Sequence, residues 1–233
     1  MHEYSLFSTL FLGMSLGILH ALDADHVAAV SSLASTRTGK RHALFFCGKW
    51  AMGHGLSLLL IGGSVLILGF AIPETLSRIA ENLVGVVLIA IGIWVLWEVY
   101  RRPLHLHFHQ HADHLPHAHW HTHADNERHE DNNNSAHQHT HSAVFVGGLH
   151  GVAGSAPLLA LLPMTRAEST WLAMSYIAFF SIGVLIAMLL FGGMISIVFQ
   201  WLQKHSISLL NWLRGLTGVV SLGLGSYLLY HSI

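Results

Sequence analysis

The chain has 233 residues, a mean hydropathy of +0.52 and only 10% Asp, Glu, Lys or Arg, against about a quarter in a soluble domain, so lipid is the expected solvent. A net charge of -1 excludes a basic nucleic-acid binder, and a single cysteine, Cys47, excludes a disulfide framework or a CxxC site. Histidine is the outlier, at 21 residues.

A membrane helix takes about 20 mostly apolar residues. Six stretches qualify: 5–34 (long and interrupted), 43–70, 81–100, 143–163, 170–200 and 206–230. No basic region or small-residue cleavage site precedes the first, so it is expected to be a retained span. Trp97, Tyr100, Trp171, Trp201, Trp212 and Tyr230 fall near the ends of these runs, as an interfacial aromatic belt requires. The expected fold is all-α and polytopic.

With the N-terminus outside, the inner side receives Arg37, Lys40, Arg41, Lys49, Arg101, Arg102, Arg128, Lys204 and Arg214, and the outer side only Arg78 and Arg166. This positive-inside bias predicts both termini outside the cell membrane and the long loop after the third span in the cytoplasm.

The first span breaks its own apolar rule. His20-Ala-Leu-Asp23-Ala-Asp25-His26 places two carboxylates where each costs about 2.5–3.5 kcal/mol at a helix centre. On a regular helix His20, Asp23 and His26 fall at about 0°, 300° and 240°, on one face. Asp25 points elsewhere, toward a second neighbour or through a locally unwound segment. Imidazole with carboxylate suits Ni, Co, Zn or Mn, and the lack of thiols disfavours Cu(I). Two more histidines, His54 and His150, lie at similar depth in the second and fourth spans. Gly53, Gly55, Gly147, Gly148, Gly151 and Gly154 would let helices close around such a site. The candidate metal ligands are thus His20, Asp23, Asp25, His26, His54 and His150.

The two halves also resemble each other. GILHALDADHVAAV (17–30) aligns with GGLHGVAGSAPLLA (147–160), and GHGLSLLLIGG (53–63) with GVLIAMLLFGG (183–193), both at an offset of 130; GVVLIAIG (85–92) aligns with GVVSLGLG (218–225) at 133. Three spans is an odd number, so the second copy must run in the opposite sense. The expected organisation is two inverted three-helix repeats, 1–100 and 143–233, joined by a loop at 101–142, with the site between the halves.

LGILHALDADHVAAVSS resembles the signature of the nickel/cobalt transporter family, with His-x4-Asp-His as His20-ALDA-Asp25-His26. KWAMGHGLSLL (49–59) is similar to that family's second motif. The resemblance implies a nickel or cobalt permease that uses His20, Asp23, Asp25, His26 and His54 for metal selection and passage. Uptake permeases of the family typically have eight spans and acidic motifs in the second half. The corresponding stretch here, His150-Gly-Val-Ala-Gly-Ser-Ala-Pro157, has no acid, which is closer to the shorter urease-accessory-type branch.

Residues 101–142 hold 13 histidines, in HLHFHQH, HAHWHTH and HQHTH. Alternating His-x-His supplies many interchangeable metal sites, and the polar run DNERHEDNNNS cannot bury a core, so the loop is expected to be disordered without metal.

Taken together, the expectation is uptake of nickel and/or cobalt across the cell membrane, not an enzyme. The ion is cargo and no resident cofactor is required. A cytoplasmic metallochaperone or a urease or hydrogenase maturation system is the implied partner. Efflux is the alternative, because long cytoplasmic histidine loops also occur in exporters resembling this family. A membrane di-iron enzyme is remoter, since it wants several HxxxH or HxxHH boxes at helix ends.

Overall fold

The structure, a computed structural model, describes residues 2–36, 40–68, 74–101, 105–109, 117–121, 135–153 and 169–232. In chain order the elements are α1 (His2–His20), α2 (Ala24–Thr36), α3 (Lys40–Leu68), α4 (Glu74–Arg101), the strands β1 (His105–His109) and β2 (His117–His121), α5 (Ser135–Val152), α6 (Thr170–His205) and α7 (Ile207–Ser232).

Apolar residues surround the long helices instead of forming one stripe, as expected of helices with lipid on one side and protein on the other. Phe7, Phe11, Leu60, Ile67 and Leu190 are all exposed, as are the belt aromatics Trp97, Tyr100, Trp171, Trp201, Trp212 and Tyr230. Four helices are long and apolar enough to cross a membrane, at Lys40–Ile67, Ser77–Arg101, Thr170–His205 and Ile207–His231. A fifth is counted if Leu6–His20 and Ala24–Ser32, bent by 56°, make one broken span. The expected count of six is therefore four to five among the described residues. Ala143–Val152 is a short apolar helix, and the rest of the expected span 143–163, with Gly154 and Pro157, lies outside the described residues.

The histidine loop also departs from expectation. The backbone of β1 pairs antiparallel with β2, setting His105 opposite His121, His107 opposite His119 and His109 opposite His117. His-x-His is a period-two pattern, and with Leu106, Phe108 and Trp120 at the intervening positions it is compatible with a strand. Among the described residues this ribbon is an exception to an otherwise helical fold. α5 begins at Ser135, inside the stretch read as loop.

Polar side chains mark where one element ends and the next begins. Ser169 caps α6, its hydroxyl accepting from the Leu172 amide at 3.2 Å. Ser206 alone separates α6 from α7; its amide donates to the Leu202 carbonyl at 2.8 Å and its own carbonyl accepts from Leu210 at 3.0 Å.

α1 packs along α6, α3 lies between α5 and α6, α4 packs along α7, and α2 bridges α4 and α7. Glycines set the closest crossings, because a Cβ there would strike a facing backbone. One at Gly17 would strike the Phe180 carbonyl, and one at Gly147 the Trp50 carbonyl. Likewise Gly183 sits against the Met14 carbonyl and Gly53 against the Val144 carbonyl. Between α4 and α7, a Cβ at Gly92 would lie 2.8 Å from the Gly218 carbonyl oxygen, and one at Gly225 2.6 Å from that of Gly85. The Ser221 hydroxyl donates to the Leu88 carbonyl at 3.0 Å across the same interface. Trp50, Tyr176, Ile177, Phe180 and Met188 fill the core around α3 and α6.

Candidate metal site within the membrane helices

α1 stops at His20 for a local reason. The amides of Leu22 and Asp23 bond back to Leu19 and His20 at 3.0 Å, the tightened i→i−3 pattern of a closing helix end. Asp, a favoured N-cap residue, then opens α2 at position 23, its carbonyl accepting from Val27 at 3.0 Å. Asp25 lies in the first turn of α2, where the helix dipole favours an anion. The break replaces the regular-helix projection of the sequence reading, and it folds His26 back onto His20, with ring centroids 4.7 Å apart.

His54, from the middle of α3, completes a cluster. His20, His26 and His54 are all buried, and they offer ligand nitrogens within 4.8 Å of one another. The Nε2 atoms of His20 and His54 are 3.3 Å apart. Carboxylates back two of the three rings. His20 Nδ1 lies 2.7 Å from Asp23 Oδ2, a close charge contact, and His26 Nδ1 donates to Asp25 Oδ1 at 2.9 Å. Such contacts orient a ring so that its other nitrogen faces a metal. His26 Nε2 and His54 Nδ1 are buried without a hydrogen-bond partner in the structure. A buried polar atom of this kind is costly unless something fills its valence.

His150, on α5, stands beside the cluster and outside the triad. Its ring is 5.3 Å from that of His26, its Nδ1 donates to the Val146 carbonyl at 2.9 Å, and its Nε2 lies 3.9 Å from Asp25 Oδ2. Asp25 thus serves a second neighbour through the unwound segment. All six residues singled out in the sequence converge here, with the two carboxylates behind or beside the rings.

Trp50 was not foreseen as part of the site. It stacks on His54 at 5.4 Å and 20°, and meets His26 edge-on at 4.7 Å and His150 at 5.2 Å. Its i, i+4 spacing from His54 was the available signal. Gly151 brings α5 close enough that a Cβ there would lie 2.6 Å from the His54 carbonyl oxygen. A cavity of about 190 Å³ adjoins the cluster, lined by His20, Asp23, Asp25, Glu81, Val84, Ala153 and Leu228. Glu81 heads the apolar run of the third span in the sequence, but α4 begins at Glu74, so Glu81 lies about two turns inside the helix and not at its end.

Three imidazoles, two of them backed by carboxylates, can take a first-row divalent ion. An imidazole nitrogen binds such an ion at about 2.0–2.1 Å, so two ligand atoms can be at most about 4.2 Å apart. Any pair of ligand atoms in the triad that stands farther apart than this, within the 4.8 Å bound, must draw together on binding. Cys47 is buried and has no second cysteine in the chain to pair with.

Residues 6–223 match the family described as the cytochrome c biogenesis protein transmembrane region. The urease accessory protein UreH of Bacillus sp. (strain TB-90) is 31% identical over 233 residues, 99% of this chain and 94% of that protein. No solved structure matches the chain. The chain therefore belongs to the multi-pass cytochrome c biogenesis transmembrane-region family, with a urease accessory protein among its relatives.

Proposed function

We propose that this chain is a permease for divalent nickel or cobalt, working in the uptake direction, with the ion as cargo of the His20/His26/His54 cluster. The observation that carries the reading is the meeting of three buried imidazoles within 4.8 Å inside apolar helices. Ionisable residues at that depth face a pathway or a partner. In this reading Asp23 and Asp25 neutralise the ion while it is held, and His150 takes part in handing it on. The relative named as a urease accessory protein supports a role in supplying metal to a maturation system.

The proposed scaffold is six spans in two inverted repeats, and the glycine contacts support it. At an offset of 130, the pair Gly17–Phe180 corresponds to Gly147–Trp50, and Gly183–Met14 to Gly53–Val144. At 133, Gly85–Gly225 corresponds to Gly218–Gly92, while Ser221 and Leu88, each other's equivalents, touch directly. Paired contacts of this kind are what a pseudo-twofold axis in the membrane plane generates. The lysine and arginine distribution supports termini outside and the histidine loop in the cytoplasm. There the β1/β2 register, with six histidines at facing positions, supports a role in holding arriving metal.

Whole-cell metal analysis of a deletion strain tests the reading. In limiting medium the strain should hold less nickel or cobalt than its parent. Unchanged metal content would overturn permease activity, and accumulation with metal sensitivity would reverse the direction to efflux.

A further inference from the structure

His150 carries a ligand atom that the triad leaves unused. Its Nδ1 lies 2.9 Å from the Val146 carbonyl oxygen, which can only accept, so Nδ1 holds the ring proton. In the neutral ring Nε2 is then a bare lone pair. This nitrogen is buried, has no hydrogen-bond partner in the structure, and stands 3.9 Å from Asp25 Oδ2. That separation is too long for a hydrogen bond. A lone-pair nitrogen and a carboxylate oxygen also repel each other across it. Two such acceptors held close in a buried place are stabilised by a cation between them.

The spacing suits a divalent ion of the first transition row. Nitrogen and oxygen ligands bind one at about 2.0–2.2 Å, so a nitrogen and an oxygen can stand up to about 4.3 Å apart across it. At 3.9 Å, His150 Nε2 and Asp25 Oδ2 fit within this limit as they stand. The second carboxylate oxygen, Asp25 Oδ1, accepts from His26 Nδ1 at 2.9 Å. The His26 ring in turn lies 4.7 Å from that of His20, 5.5 Å from that of His54 and 5.3 Å from that of His150. Asp25 and His26 thus connect the triad to His150.

We propose that Asp25 Oδ2 and His150 Nε2 are the protein ligands of a second divalent-metal position beside the triad, which one ion occupies in alternation with the His20/His26/His54 position. This rests on the permease reading and adds to it where the ion goes when it leaves the triad. Asp25 backs His26 while the ion is held by the three imidazoles, and ligates the ion directly once it has moved. Two divalent charges at neighbouring buried positions repel strongly, so the positions are alternatives for a single ion. Two protein ligands hold an ion less tightly than three, and a position that releases readily is what passage needs.

The test uses the full-length chain and Co²⁺, with the loop histidines between 105 and 141 replaced by serine for the binding measurements. H150Q removes the imidazole and keeps a neutral side chain of similar size. It should leave Co²⁺ affinity within about threefold, because the triad is intact, and lower Co²⁺ flux into liposomes by about tenfold or more. H54A breaks the triad and leaves the ion the second position. In that background H150Q should weaken the residual Co²⁺ binding by a further factor of about ten or more. H54A/H150C, in which a thiol replaces the ring, should show a thiolate-to-cobalt charge-transfer absorption that H54A alone lacks. That absorption requires the side chain at position 150 to touch the ion, which a packing role would not produce. Its absence at saturating Co²⁺ would overturn the second position, as would wild-type flux in H150Q. Equal loss of affinity on H150Q with and without His54 would make His150 a packing residue of one site, and would overturn it too. Failure of the wild type to bind Co²⁺ would instead overturn the permease reading.

Discussion

Replacing His54 by alanine removes one of the three imidazoles together with its stacking contact on Trp50. His54 is fully buried, its Nε2 is 3.3 Å from that of His20, and its Nδ1 has no hydrogen-bond partner in the structure. Losing a residue that only orients a metal ligand costs 10- to 100-fold in affinity, about 1.4–2.7 kcal/mol. Losing a ligand should reach at least the upper end, so H54A is expected to weaken Ni²⁺ binding by about 100-fold or more. D25N keeps the volume of Asp25 but removes the carboxylate behind His26, and should fall in the orienting range of about 10- to 100-fold. The assay is calorimetric Ni²⁺ titration of purified protein whose loop histidines between 105 and 141 have been replaced by serine, so that only the membrane site is read. H205A is the control, since His205 is exposed and stacks on Trp201 at 4.5 Å. If H54A bound Ni²⁺ within twofold of its parent, the cluster would not be the metal site.

Three further outcomes are expected. G17L and G147L drive side chains into the Phe180 and Trp50 carbonyls, and each should destabilise the protein by about 1–3 kcal/mol, read as a lower Tm in detergent; G215A and G223A meet nothing within 4 Å and should be neutral or slightly stabilising. Cys47 is 1% exposed, so maleimide should fail to label the folded protein, and C47A should keep its metal uptake; loss of uptake would point to thiol chemistry. Imidazole binds metal only when neutral, and the ordinary imidazole pKa is about 6.5. Metal held by the wild-type histidine loop should therefore be retained above that pH and shed as pH falls through it. Equilibrium dialysis at about pH 7.5 and 5.5 checks this, and pH-independent retention would contradict imidazole ligation.

The sequence by itself determined what composition and short-range spacing control. Lipid as solvent, most of the helices and the HALDADH segment are all written in apolar runs and local motifs. The sequence places His54 and His150 beside that segment only through their depth, the alignment of His150 with His20 and what the family resemblance implies for His54. Only the tertiary structure decided how the residues meet. The turn at Ala21–Asp23 breaks the helical period on which a face assignment depends, and so brings His20 and His26 together where a straight helix would separate them by about 9 Å of rise. Trp50, Glu81 and the Arg214–Glu98 pair were not legible because their meaning comes from contacts between helices far apart in the chain. A lone glutamate at the head of an apolar run and an arginine near a helix start read as interfacial charges. Packing α4 against α7 through facing glycines makes one the lining of a cavity and the other a buried cation.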